Sequence, residues 1–140
     1  MMVRKAVPQD ADRIACLLAQ LDYPATAEFA ARKIAHMDRH PDAELVGADS
    51  GDGAVGFISI HYIPQVALEG AFARISYLCV DQAARGTGVG RMLEEYCVTA
   101  AARRGCDRIE LHSHSRRAGA HAFYEALGYE ESPKYFIKKL

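Results

Sequence analysis

Three glycines, Gly86, Gly88 and Gly90, stand between Arg85 and Arg91 in the run VDQAARGTGVGRMLEEY, Val80 to Tyr96. A strand-like stretch ends at Val80 and a helical pattern begins near Gly88, which brings several backbone N–H groups to a helix N-terminus. Those donors have no intrahelical partners and carry the positive end of the helix dipole, so they stabilise an anion. The missing Cβ atoms let phosphate oxygens come close, and Arg85 and Arg91 add charge-assisted bonds. A pyrophosphate is the guest this run suits; a plain glycine turn is the alternative.

A second set of chemistry-bearing residues lies in RIELHSH. Glu110, His112 and His114 alternate with Ile109 and Leu111, so in a strand all three leave one face. Histidine titrates near neutrality, which is what taking a proton from a substrate ammonium requires. Ordinary polar residues on a half-exposed strand would read the same way. His112, His114 and His121 also have the ligand types for zinc but no closed four-ligand spacing, and no metal is expected.

Known nucleotide motifs do not match. A P-loop needs GxxxxGK followed by Ser or Thr, and a dinucleotide fingerprint needs GxGxxG after an early strand. The run here is GxGxG followed by Arg91, after the fourth apparent strand.

The elements that must position these groups follow from periodicity. MMVRKAV reads as a first strand, and Pro8 with Asp10 marks a helix entry. Ile14, Leu17, Leu18 and Leu21 then trace one apolar helix face, and Ala30, Ile34 and Met37 a weaker one ending near Pro41. AELVGADSGDGAVGFISIHYI is a hairpin about Ser50 to Gly53, and AFARISYLCV a further long strand. Val89, Met92, Leu93, Tyr96, Cys97 and Ala100 form the next helix stripe, capped near Gly105. RIELHSH is a strand, Ala120 to Leu127 a helix closed by Gly128, and KYFIKKL a last strand. The order β-α-α-β-β-β-α-β-α-β describes an α/β domain with a mixed sheet.

The 140 residues suffice for one domain, 1–140, with a sizeable core. Seventeen Lys+Arg against eighteen Asp+Glu leave a formal charge of -1, so no global field favours nucleic acid. No apolar run reaches the roughly eighteen residues of a membrane span, and none follows the N-terminus as in a signal peptide. Four cysteines without CxxC pairing fit a reduced, cytoplasmic setting.

With these elements in place the chain resembles the GNAT superfamily of acyl-CoA-dependent N-acetyltransferases. Arg85, Gly88 and Gly90, with Val80 and Asp81 upstream, match its Arg/Gln-x-x-Gly-x-Gly/Ala signature, and AHAFYEALGYE, Ala120 to Glu130, matches its second segment. The element order is also the family's. The resemblance implies a fold with helices on both faces of the sheet and splayed fourth and fifth strands. It implies acetyl-CoA as co-substrate, with the pyrophosphate on Gly86, Thr87, Gly88, Val89, Gly90 and Arg91 and the pantetheine arm against Leu78, Cys79 and Val80. Tyr124 stands at the family's tyrosine, a general acid for the departing thiolate.

The chain also departs from the pattern. Arg117 replaces an asparagine common seven residues before the tyrosine, and is expected to touch CoA or cap its helix. Ser76 stands where relatives carry a glutamate base, which leaves His112, His114 or Glu110, or a water relay, for that task. Asp22, Tyr23, Glu28, Phe29, Tyr62 and Phe72 are the expected frame of the acceptor pocket, suited to a cationic primary amine. A small-molecule amine is the expected acceptor, with a protein amine and a catalytically silent acyl-CoA-binding module as the other readings. No nucleic-acid or membrane partner is expected, and the last strand offers an edge for a homodimer.

Overall fold

The computed structural model describes residues 1–113, 117–132 and 136–140. Its elements are β1 (Met2–Lys5), α1 (Ala11–Gln20), α2 (Ala30–Arg39), β2 (Ala43–Asp49), β3 (Ala54–Ile63), β4 (Phe72–Val80), α3 (Val89–Arg103), β5 (Arg108–Leu111) and α4 (Ala118–Ala126). Contacts divide the chain into two compact units, Met1–Glu110 and Leu111–Leu140. The expected α/β class and element order hold through α4.

The sheet runs β1-β2-β3-β4-β5, and the first four strands pair antiparallel with their sequence neighbours. The β2–β3 turn forms as its residues predict: Gly51 and Gly53 take positive φ of 108° and 111°, and both donate to Oδ1 of Asp49. Register places successive residues of β3 on opposite faces. Phe57 joins Ile14 and Leu17 of α1, Ile34 of α2 and Cys79 of β4 in one buried cluster. A Cβ on the neighbouring Gly56 would instead meet Val89 and Leu93, so α3 covers the other face. Helices thus lie on both faces, as expected.

A salt-bridge hub fastens the N-terminal edge. Arg4 donates to both oxygens of the buried Asp10, at 2.8 and 2.9 Å, and to Asp49 at 2.8 Å. On the α3 side, Tyr62 and Tyr96 both donate to Glu44, and Arg104 lies 3.8 Å over the Tyr62 ring. Burial and Glu44 push the Tyr96 hydroxyl up to about 12.

Two strand expectations are corrected. β5 stops at Leu111, so His112 lies beyond it rather than on it, and His114 is outside the described residues. The described residues directly after Leu111, His112 and Ser113, are polar and offer no apolar side chain to hold the strand on a core. Of the expected last strand KYFIKKL, Lys134 and Tyr135 lie outside the described residues, and residues 136–140 are not strand. Phe136 and Ile137 are exposed, so this segment lacks the buried face that would hold it in a sheet.

Candidate active site

The glycine run begins where β4 ends. Asp81 receives the Ala83 amide at 3.0 Å and pairs with Arg13 of α1 at 2.9 Å, while its own N–H donates to Val55 at 2.8 Å. The Ala83 amide and then Arg13 hold its carboxyl below the usual range. A short 3₁₀ turn at Gln82–Ala84 follows, pinned to α1 through Gln20, whose side-chain oxygen receives the Gln82 amide at 3.0 Å. The approach to the run is therefore tied to the first helix and to β3.

Gly86 and Gly88 then adopt φ of 76° and 90°, a conformation costly for residues with a Cβ. A Cβ at either would point into open space, so backbone conformation rather than crowding calls for glycine. Gly88 is the N-cap of α3 and supplies no side-chain cap. Among the described residues, the hydrogen bonds outside regular elements include none donated by the amides of residues 86 to 91. Val89 is anchored, 2% exposed, while Arg85, Gly86, Thr87, Gly88 and Arg91 face solvent. N–H groups without such partners at a helix N-terminus, in a run flanked in sequence by Arg85 and Arg91, can hold a diphosphate.

Leu78, Cys79 and Val80 pair through β4 with Ile58, Phe57 and Gly56. Cys79 is buried and its thiol donates to the Leu17 carbonyl at 2.9 Å, which marks it as a core residue. Arg91 reaches Glu95 at 3.3 Å, and Arg85 the Val80 carbonyl at 3.4 Å.

Other expected site residues are placed as follows. Glu110 pairs with Arg74 at 3.5 Å and Arg108 at 3.8 Å, so it is engaged by two cations. In the second unit Tyr124 is half-buried on α4, edge-on to Phe123 and Tyr129 with ring centroids 5.2 and 5.5 Å away. Arg117 occupies the N-cap position of α4, where its carbonyl receives the His121 amide at 3.1 Å and its side chain makes no cap. Tyr62, expected in the acceptor frame, turns instead into the α3 side of the sheet and is 5% exposed. Tyr23 does approach β4, edge-on to Tyr77 at 5.3 Å.

One pair was missed in the sequence. His61 Nδ1 lies 2.7 Å from the Ser76 hydroxyl, across the β3–β4 ladder. Burial, then His40 and Arg74, hold the His61 ring below its ordinary value. Residue pattern carries no signal for it, because which β3 residue meets Ser76 depends on the register of the β3–β4 ladder.

A glycine-rich turn leading into a helix N-terminus, behind a long antiparallel strand in a sheet flanked by helices on both faces, defines the class to which known proteins can be compared. The acetyltransferase (GNAT) family matches residues 12–129, and the chain belongs to that family. It carries the domain of an acetyl-CoA-dependent N-acetyltransferase, and acetyl-CoA is the family's co-substrate. It is 36% identical over 81 residues to mycothiol acetyltransferase of Beutenbergia cavernae, covering 58% of this chain but only 26% of that protein. It is 27% identical to aminoalkylphosphonate N-acetyltransferase of Salmonella typhimurium, covering 99% and 90%. A transcriptional regulator from Bacillus halodurans C-125 superposes with a TM-score of 0.92 over 99% of both chains at 24% identity, a likeness of fold alone. Among the described residues no helix is long and apolar enough to cross a membrane.

Proposed function

We propose that residues 1–140 act as one acetyltransferase domain that moves the acetyl group of acetyl-CoA to a primary amine of a small molecule. The observation that carries the reading is the set of amides from Gly86 to Arg91, solvent-facing at Gly86, Thr87, Gly88 and Arg91 and held in place by Val89 and by the turn after Asp81. In this reading the pyrophosphate rests on those amides with Arg85 and Arg91 beside it, and Arg117 adds a further cation. The pantetheine arm follows Leu78, Cys79 and Val80, where a backbone amide polarises the thioester carbonyl.

The amine attacks that carbonyl carbon directly. A C–N bond forms, the C–S bond breaks, and Tyr124 protonates the departing thiolate. No acetyl-enzyme is required: Cys79 is committed to the core, and burial pushes the Cys97 thiol up to about 12, far from thiolate formation. A relative named for aminoalkylphosphonates favours a small amine over a protein as acceptor. The setting we propose is cytoplasmic, and a homodimer is compatible with the exposed Phe136 and Ile137.

Calorimetric titration with acetyl-CoA tests the cradle, repeated on Gly88→Glu, which sets a carboxylate where the pyrophosphate belongs. Binding in the wild type and its loss in the variant support the reading. Failure of the wild type to bind removes it.

A further inference from the structure

The reaction needs a base for the acceptor's ammonium, and the carboxylate expected on β4 is replaced by Ser76. The β3–β4 ladder runs regularly from Gly56↔Val80 to Ser59↔Tyr77, then resumes at Ile60↔Ile75. Ser76 is the extra residue of that bulge, the kind of irregularity that re-aims a side chain. Its hydroxyl lies 2.7 Å from His61 Nδ1, and both residues are half-buried.

We propose that Ser76 and His61 form the proton relay of the transfer reaction: the acceptor ammonium gives a proton to Ser76 Oγ while the Ser76 hydroxyl proton passes to His61 Nδ1. The inference rests on the acetyl-transfer reading above. The relay uses the Nε2–H tautomer, whose Nδ1 lone pair accepts from Ser76. The serine ends as it began and the imidazole becomes imidazolium. The amine nitrogen is left with the lone pair that forms the C–N bond. Ser76 lies two positions before Leu78, about 7 Å along the strand, which leaves room for the acceptor nitrogen between relay and thioester.

The surroundings of His61 suit a proton acceptor better than a structural hydrogen bond. Its partner across the ladder is Arg74, and His40 approaches from the connection between α2 and β2. Glu110 on β5 faces it only through its pairing with Arg74. From β2 the opposing residue is Ala43, which carries no charge. Partial burial, and then the two basic neighbours, hold the ring below its ordinary value, so that it is neutral and ready to receive a proton, and speed loss of that proton to water after each turnover. A neutral amide in place of His61 would satisfy Ser76 without placing a third basic group among the first two.

The test measures thiol release against pH from 5 to 9 at saturating acetyl-CoA, for wild type, His61→Gln and Ser76→Ala. The acceptors are 2-aminoethylphosphonate, spermidine, ethanolamine and a lysine peptide. In the wild type the acid limb should have its midpoint below about 6.5. Both variants should lose on the order of 10²-fold in kcat, lose that limb, and bind acetyl-CoA within about twofold of wild type. Near-wild-type rates with the limb unmoved would overturn the relay and leave acetyl transfer standing. Acetyl-CoA binding without thiol release for any acceptor would overturn the transfer reading and the relay with it. Should either variant fail to fold, the His61 ring is titrated by NMR in the wild type, where a midpoint above the ordinary histidine value would overturn the relay.

Discussion

Gly56 on β3 and Val89 at the start of α3 are in such close contact that a Cβ on Gly56 would stand 3.0 Å from Val89 Cγ1 and 3.0 Å from the Cys79 carbonyl. The helix that follows the glycine run is therefore seated directly on the backbone of the sheet. Leu93 continues the same contact one turn on, at 3.3 Å. Close packing of this kind transmits small displacements, because interiors have little free volume to absorb them.

Gly56→Ala should cost about 1–3 kcal/mol of stability, since the added methyl meets backbone that cannot easily retreat. It should also weaken acetyl-CoA binding by moving Val89, the first residue of α3. Thermal unfolding and calorimetry check the two effects together. Unchanged values of both would mean that α3 is not positioned by this contact.

The Arg4 hub contributes to stability in acid. Arg4 holds the Asp10 carboxyl below its ordinary range, and the Gly51 amide followed by Arg4 does the same for Asp49. Both folded-state values are depressed, so the stability they contribute is present above about 3.9 and is lost as the pH falls through the lower folded values. Arg4→Leu should cost about 2 kcal/mol near neutrality and flatten the acid side of the stability profile. Urea unfolding between pH 6 and 2 measures both, and an equally steep acid slope in the variant would discard the explanation.

Much of this arrangement was legible from residue pattern. The helix stripe of Val89, Leu93 and Cys97, the Ser50 to Gly53 turn, and the glycines ending α3 and α4 follow from local chemistry. The structure places them as expected, with φ of 70° at Gly105 and 92° at Gly128. What pattern could not supply depends on register. The bulge at Ser76 alters which β3 residues meet which β4 residues, and that decides the His61 pairing. Tyr62 reads as a flank of the β3–β4 loop, but the register turns it onto the α3 side beside Glu44. The end of β5 was misread because alternation counts charges and histidines as one polar face, although a strand needs the apolar half as well. Arg4 and Asp49 are distant enough in sequence that only the β1–β2 pairing brings them together, whereas Asp10 reaches Arg4 from the turn just after β1.

The alkaline limit involves Tyr96. Its folded value is raised to about 12, so the neutral hydroxyl contributes stability that is whole below about 10 and declines as the pH rises from about 10 towards 12. Tyr96→Phe removes this ionisation together with one of the two donors to Glu44. The variant should be about 1 kcal/mol less stable at neutral pH, with a shallower loss of stability between pH 10 and 12. Circular dichroism unfolding across that range is the check, and a variant that loses stability as steeply as wild type would assign the alkaline transition elsewhere.

Tyr124→Phe separates chemistry from packing. The ring contacts with Phe123 and Tyr129 involve the aromatic face and edge, which phenylalanine keeps, so α4 should hold its packing. In the proposed mechanism the variant lacks the proton for the departing thiolate. Turnover should fall on the order of 10²-fold while acetyl-CoA affinity stays within about twofold, since the hydroxyl is asked to act only as the C–S bond breaks. Stopped-flow thiol release and calorimetry on the same preparation give the two numbers. A fall in affinity that matches the fall in turnover would make Tyr124 a binding residue. Equal turnover in variant and wild type would leave the thiolate to depart unprotonated and remove the general acid from the mechanism.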